Sequence, residues 1–320
     1  MTKYKVIVIG LGKIGLKYGL DLKRTQPASH IAAVIDNPNL ELMAVCDPNK
    51  ENIELFIKKY GNKTSIFENF KDLVENINCG KIDFDIIVLS TPDQTHSELL
   101  TYLIENLKEM KERSIVFCEK PLALSYEIAK KIQLLEKTSK INIVINHSRR
   151  WSKIWKESYE LTKQIGEIQK ASFYFSTSPE NKEISQIRDG IHIADLMAWF
   201  GIEEKTTITR LPLPYFVYDL HIWGSKGKIE VLGWGKTLNF FEVEDSPRFE
   251  GFKELKLIYT KEIKESYMVN TYEEFVEYLN GTRNSLATNL NDAVEALRVF
   301  EKYVYDDKSL KTGNERSIVN

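Results

Sequence analysis

Cysteine is scarce. Cys46, Cys79 and Cys118 are the only three in 320 residues, with no CxxC spacing and no even set to pair. A disulfide scaffold is excluded, and they read as reduced thiols, two of them at strand ends. Histidine is nearly as sparse, and its five positions, 30, 96, 147, 192 and 221, lie too far apart for metal-ligand spacing, so no metal centre is expected. Charge of one sign is not in excess either. Lys+Arg number 44 against 46 Asp+Glu, which leaves no basic field for nucleic acid or anionic lipid and makes a small molecule the expected partner. No apolar run reaches membrane-spanning length and the opening Met-Thr-Lys-Tyr-Lys has no signal-peptide core, so no membrane partner and a cytoplasmic location are expected. Internal repeats, low-complexity tracts and long linkers are missing too. What remains, 42% apolar and 28% charged over 320 residues, suits a globular protein of two well-filled domains.

Against that background the first fifteen residues stand out: Val6-Ile7-Val8-Ile9, a buried-type strand, runs straight into Gly10-Leu11-Gly12-Lys13-Ile14-Gly15. This spacing predicts strand, tight turn and helix start, the arrangement that cradles a dinucleotide. Gly10 permits the turn, Gly12 lets the backbone approach a pyrophosphate, and Gly15 lets the helix lie close to the strand. Leu16, Tyr18, Leu20 and Leu22 continue the helix, Pro27 breaks it, and Ile31 to Ile35 resume it. A second strand, Leu40 to Cys46, ends at Asp47-Pro48. A carboxylate there holds a ribose diol and repels a 2′-phosphate, which favours NAD over NADP; alternatively Asp47 caps the next helix. Asp47 lies 32 residues past Gly15 where about 20 is usual, an excess that the broken-helix insertion of residues 23–39 can absorb.

Strands and helices then alternate as in a parallel, doubly wound sheet. Strands are expected at 65–67, 84–89, 114–118 and 141–145, with helices at 49–60, 69–77, from about 95, and at 126–137. Gly10, Asp47, Ser90, Thr91, Glu119, Lys120 and Asn146 all fall at carboxyl ends of strands, where ligands collect in such sheets. Beyond Arg149-Arg150-Trp151 the pattern changes to helices at about 153–165 and 189–200 and a series of strands from 168 to 259, several without helices between them. Thr271-x-x-Glu274 reads as a capping box, and a last long helix covers about 291–304. The expected architecture is α/β, with a nucleotide-binding domain at 1–150 and an α+β domain with a mostly antiparallel open sheet at 151–320.

Two residues have the right chemistry for a carbinol or carbonyl. Lys120 stands at a strand end before Pro121, which favours an extended backbone and an ammonium aimed into the cleft, where it can stabilise developing charge on oxygen; a surface lysine at a strand end is the plain alternative. His192, with an unperturbed pKa near 6.5, suits proton exchange in such a reaction, and Asp195 on the same helical face can orient it; the plain alternative is a core or capping histidine. Arg149 and Arg150 suit a carboxylate or phosphate, or form a solvated domain junction. Tyr174, Tyr215 and Trp223 line a sugar face or enter a subunit contact.

Taken in order, the glycine turn, Ser90-Thr91-Pro92 with His96, Glu119-Lys120-Pro121 and Gly190-Ile191-His192-Ile193-Ala194-Asp195 resemble the glucose–fructose oxidoreductase / inositol dehydrogenase / rhizopine catabolism (Gfo/Idh/MocA) family over nearly the whole chain. The resemblance implies a Rossmann first domain and NAD(P)-dependent oxidation or reduction of a sugar or cyclitol carbinol. It implies that Lys120 is the catalytic lysine and His192 the proton-transfer residue. Gly10, Gly12, Lys13, Ile14, Gly15, Asp47, Ser90, Thr91, Pro92, His96, Glu119 and Lys120 would hold the cofactor, with Glu119 near the nicotinamide ribose. Asn146, Arg149, Arg150, Arg188 and Asp189 would join Lys120 and His192 around the substrate. Self-association as a homodimer or homotetramer through the second domain's sheet is also implied. One departure stands out: many members carry Asp four residues before the histidine, where this chain has Arg188, with Asp189 one residue later. Either Asp189 substitutes, or Arg188 meets an anionic substrate. The insertion after Gly15 and the Asn146-x-x-Arg149-Arg150 stretch resemble a subgroup tied to nonulosonic-acid and surface-glycan pathways. The expected function is NAD-dependent hydride transfer at a carbinol or ketone carbon of a sugar, amino sugar or nucleotide sugar. Its rival is a non-catalytic NAD-binding regulator or assembly protein, which Arg188 favours and the retained Lys120 and His192 disfavour.

Overall fold

The computed structural model describes residues 3–108, 110–176 and 185–305. These fall into two compact units, one formed by the chain up to Trp151 with Glu265–Val294, the other by Ser152–Lys264 and the chain from Glu295. No helix among the described residues is long and apolar enough to cross a membrane.

The first unit alternates β1 (Tyr4–Ile9), α1 (His30–Asp36), β2 (Leu40–Cys46), α2 (Lys50–Tyr60), β3 (Ser65–Phe67) and α3 (Phe70–Asn78). It continues with β4 (Ile86–Leu89), α4 (His96–Asn106), β5 (Ile115–Cys118), α5 (Tyr126–Glu136) and β6 (Asn142–Ile145). All strand pairs are parallel, in the order β3-β2-β1-β4-β5-β6. The order reverses beside β1, so a crevice opens at the carboxyl end of β1, between the connections leaving β1 and β4. Successive side chains alternate faces: Val6, Val8, Val45, Val88, Phe117 and Val144 share one core with Ile31, Val34 and Phe56 of α1 and α2. Their neighbours Ile7, Ile9, Ile87, Val116 and Ile143 are buried as well, as expected of a sheet covered on both faces.

The helix expected to run on from Gly15 departs from a simple α-helix. Leu16 N–H bonds Gly12 O at 3.0 Å, but the carbonyls of Ile14 and Gly15, which Tyr18 and Gly19 would use in an α-helix, accept instead from His30 and Ile31, both at 3.0 Å. Residues 18–29 are therefore an excursion, with Lys17–Leu20 as a 3-10 turn at its start, and α1 resumes the interrupted helix. Ser29 caps it, its Oγ accepting the Ala32 N–H at 3.3 Å. With those twelve residues set aside, Asp47 stands 20 beyond Gly15, the ordinary spacing. The insertion is thus earlier than the 23–39 expected from sequence.

The second unit begins with α6 (Lys153–Leu161), β7 (Ile168–Phe175), α7 (Ser185–Phe200) and β8 (Thr206–Arg210). Then come β9 (Tyr218–Gly224), β10 (Gly227–Leu232), β11 (Thr237–Asp245) and β12 (Lys253–Glu262). The sheet order is β12-β11-β10-β9-β7-β8, antiparallel except for β7 with β8. One face is apolar (Phe173, Leu220, Ile222, Ile229, Val231, Phe240). The other carries half-buried Tyr174, His221, Trp223, Lys228 and Glu230. His221 stacks on Trp223 at 5.6 Å and meets the Tyr174 edge at 5.5 Å. Tyr215 lies exposed before β9.

Two expectations for the C-terminal region need correction. Glu265–Val294 packs with the first unit, not with the second. The cause is apolar: Met268, Tyr272 and Phe275 of α8 (Tyr267–Leu279) are buried in the first unit's core, and Phe275 meets the Phe117 ring edge-on at 4.8 Å. The Thr271-x-x-Glu274 pair is not a capping box, because α8 begins four residues earlier. Thr271 Oγ1 donates back to Tyr267 O at 2.8 Å, and Glu274 is buried, its Oε1 accepting from Trp151 Nε1 at 3.2 Å and from Ala287 N–H at 2.5 Å. The last helix, α9 (Leu290–Val299), gives way to a wider π turn over Phe300–Tyr305. Phe275→Ala should destabilise the protein by about 3–5 kcal/mol in urea unfolding, because it empties the centre of that aromatic cluster.

Candidate active site

The glycine turn is braced from two sides. Gly10 holds φ +94°, where a Cβ would lie 2.5 Å from Ser90 O. Ser90 Oγ, at the end of β4, donates to Gly10 O at 2.7 Å. Asp47, at the end of β2, accepts the Leu11 N–H on Oδ2 at 2.6 Å and the Asn49 N–H on Oδ1 at 2.8 Å; Asn52 Nδ2 adds a third bond to Oδ2 at 3.1 Å. A carboxylate takes about four donors, so one lone-pair position on Oδ1 is open to a ligand. The helix-cap alternative for Asp47 is wrong, since Asn49 is the N-cap of α2. Gly15 sits where a Cβ would be 2.0 Å from Gly10 O, whereas a Cβ on Gly12 would meet nothing within 4 Å. The amides of Gly12, Lys13, Ile14 and Gly15 donate to no other described residue. An open backbone approach at Gly12 beside undirected N–H groups fits the pyrophosphate of a dinucleotide.

Beside this cradle the loops after β4 and β5 are tied together. His96 is fully buried, with Nδ1 2.7 Å from Pro121 O and Nε2 3.0 Å from Thr91 O, so its ring lies between carbonyls of the two loops. Thr95 Oγ1 lies 2.8 Å from Thr91 Oγ1 and 2.7 Å from Pro92 O. The Lys120–Pro121 peptide is cis, and Lys120 is half-buried.

Glu119 is the centre of a buried polar cluster. Its Oε1 meets His30 Nε2 at 3.0 Å and Asn146 Nδ2 at 2.5 Å, its Oε2 accepts the Lys120 N–H at 3.3 Å, and His30 Nδ1 lies 2.9 Å from Tyr272 OH. Burial pushes the Glu119 carboxyl up, but His30, Asn146 and the Lys120 ammonium outweigh it and hold the group below the usual carboxylate range. Burial and the same carboxylate push the Tyr267 and Tyr272 phenols up. Nothing in the sequence singles out His30, Tyr267 or Tyr272; their link to Glu119 spans 89 positions or more and depends on the excursion and on α8.

Asn146 and Arg149 are buried in the same region, while Arg150 is committed elsewhere: its Nη1 pairs with Asp292 Oδ1 at 2.9 Å, which anchors the start of α9. In the second unit Arg188 is exposed, Asp189 half-buried and His192 and Asp195 buried, all on α7. A Cβ on Gly190 would lie 2.6 Å from the Phe300 ring, so this glycine lets α7 lie directly on the Phe300–Tyr305 segment.

Residues 4–147 match the family model described as an oxidoreductase family with an NAD-binding Rossmann fold. That model is the Gfo/Idh/MocA one, which these residues resemble. Glucose-6-phosphate 3-dehydrogenase of Bacillus subtilis is 31% identical over 101 residues, 32% of this chain and 25% of that protein. The matched stretches cover 25% to 60% of the curated relatives' own lengths. Among solved structures, the WlbA dehydrogenase of Bordetella pertussis in complex with NADH and UDP-GlcNAcA has a TM-score of 0.72 at 16% identity, over 98% of this chain and 97% of that one. The transcriptional regulator Gal80p of Kluyveromyces lactis has the same TM-score at 15% identity, over 96% and 90%. At such identities the likeness establishes the fold, and it does so for both units.

Two expected outcomes follow from this geometry. Gly12→Ala should leave the urea midpoint unchanged but weaken NADH binding, read by nicotinamide fluorescence, whereas Gly15→Ala should cost about 1–3 kcal/mol of stability through overpacking. Because the folded Glu119 carboxyl lies below its usual 4.5, its contribution is present above that pH and is lost as pH falls through the folded value. The stability difference between wild type and Glu119→Gln should therefore be largest near neutral pH and shrink below about 4.5 in a pH series of urea melts.

Proposed function

We propose that this protein is an NAD-dependent oxidoreductase acting on a carbinol or ketone carbon of a sugar, amino sugar or nucleotide sugar. The observation that carries the reading is the glycine cradle, open at Gly12 and flanked by Asp47, in a lobe of the family with an NAD-binding Rossmann fold. Asp47 keeps one acceptor position for a ribose hydroxyl, and its charge disfavours a 2′-phosphate, so NAD is preferred to NADP. A bound nicotinamide would supply or accept the hydride.

Lys120 is assigned the substrate oxygen, which it polarises through its ammonium as negative charge develops. His192 is assigned the proton that the same oxygen gains or loses, with Asp189 as the accompanying carboxylate. Arg188, Arg149 and Asn146 are assigned to substrate binding, and a guanidinium at those places suits an anionic sugar. Two named proteins support the sugar class: the Bacillus subtilis relative is a glucose-6-phosphate 3-dehydrogenase, and WlbA was solved with UDP-GlcNAcA. A place in surface-glycan or nonulosonic-acid synthesis goes with the nucleotide-sugar reading. The second unit is assigned substrate binding and self-association, through the sheet face that carries Tyr174, His221 and Trp223.

The second reading is an NAD-binding regulator without turnover. It is favoured by Arg188 at the place of the usual carboxylate and by the regulator Gal80p among proteins of this fold. NADH fluorescence separates the two readings. The enzyme binds NADH and consumes it with one of a panel of ketosugars and nucleotide ketosugars; the regulator only binds it. Lys120→Met should lower consumption about a hundredfold or more while leaving NADH affinity within a few fold. Equal rates in mutant and wild type would sink the proposed role of Lys120.

A further inference from the structure

The excursion at 18–29 delivers one side chain whose place the cofactor cradle does not require. His30, the first residue of the resumed helix, is fully buried among Phe117, Tyr272 and the neighbouring apolar core. An imidazole in such a place loses solvation, so its two polar atoms need partners, and both have one: Glu119 Oε1 on Nε2 and Tyr272 OH on Nδ1. The directions of these bonds can be assigned. Glu119 is ionised and accepts only, so Nε2 carries the hydrogen; in the neutral ring Nδ1 then accepts from the Tyr272 hydroxyl. The other carboxylate oxygen, Oε2, takes the backbone N–H of Lys120.

We propose that His30 is a positioning residue for Lys120: its imidazole fixes the Glu119 carboxylate, and that carboxylate fixes the backbone and the charged surroundings of the lysine beside it. The proposal rests on Lys120 being the reactive amine. It adds that α1 and α8, elements outside the strand-end loops, set how that amine is presented. The groups facing the carboxylate are His30 from α1, Tyr272 from α8, Asn146 from the end of β6 and Lys120 itself. Tyr267 from α8 feels it electrostatically, as well as Arg149 and Arg24. With one imidazole hydrogen bond removed, the buried carboxylate loses the contact that fixes its Oε1, and it can turn away from the Lys120 backbone and ammonium.

The test needs no substrate. Full-length protein is acylated with acetic anhydride over a neutral to alkaline pH series, and the rate at Lys120 is read by peptide mass spectrometry with exposed Lys50 as internal reference. In His30→Phe, which keeps a ring but no hydrogen bond, the Lys120 midpoint should move to lower pH by about one pH unit, while Lys50 does not move. His30→Gln, which can donate to Glu119 and accept from Tyr272, should restore the wild-type midpoint. Glu119→Gln should move the midpoint in the same direction, and adding His30→Phe to it should move it no further. The Glu119→Gln arm and the His30→Gln rescue decide the matter even where His30→Phe fails to fold. Coincident midpoints in all variants, or equal displacement in His30→Phe and His30→Gln, overturn the proposal. Absence of NADH turnover in the wild type would defeat the redox reading and leave this labelling result standing.

Discussion

The loop between β1 and α1 is held by three close contacts. Asp47 takes the Leu11 amide, Ser90 caps the Gly10 carbonyl, and Gly15 lies so close to that carbonyl that no side chain fits. The donors and acceptors come from the carboxyl ends of β2 and β4, the strands on either side of β1. A bend that would otherwise be one of many loop conformers is thereby fixed before any ligand arrives. Its undirected amides face outward without an ordering cost at binding. The same bonds explain why a carboxylate is needed at position 47 even apart from a ribose: Asn or Ser there would hold the loop with fewer acceptor positions.

Most of the first lobe was legible because its signals are local. Strand β1 and the glycine turn, β2 ending at Asp47, and the strand ends carrying Ser90 and Lys120 can each be read from a window of a few residues. The second sheet was legible for the same reason, through alternation in β7, β9 and β10. Most element ends differ by a few residues, and those of α6, α7 and α9 by four or five, as backbone hydrogen bonds rather than side-chain pattern decide them. The departures share one cause, non-local bonding. The helix after Gly15 is interrupted because His30 and Ile31, and not Tyr18 and Gly19, reach the waiting carbonyls. Thr271 and Glu274 have the spacing of a capping box, yet Ser266 starts the helix earlier and Trp151 claims the glutamate.

Side-chain roles were less legible than side-chain places. Asp47, Ser90, His96 and Arg150 stand at the expected positions, but their polar atoms turn largely inward, onto the turn, the β4 and β5 loops, and α9. A sequence gives the chemistry a residue can perform and not the partner that has already taken it. Arg149 and Arg150 illustrate the limit: adjacent and alike in sequence, they differ in that an aspartate 142 positions away pairs with the second.

The excursion and α8 belong to one solution. An insertion of twelve residues in the first helix would ordinarily weaken its packing, yet the helix axis is recovered because the carbonyls at its break are satisfied from the resumed segment. What the insertion changes is the residue at the junction. His30 enters the core there with two polar atoms to satisfy, and the chain meets them with Glu119 on one side and with Tyr272 from α8 on the other. Ser266, at the start of α8, also bonds Pro27 O at 2.5 Å and so holds the end of the excursion. Helix α8 is therefore bound to the first lobe by polar as well as apolar contacts. One of the polar ones, from Tyr272 through His30, leads to the residue that precedes Lys120, a route by which a change in α8 would reach the site without touching a ligand.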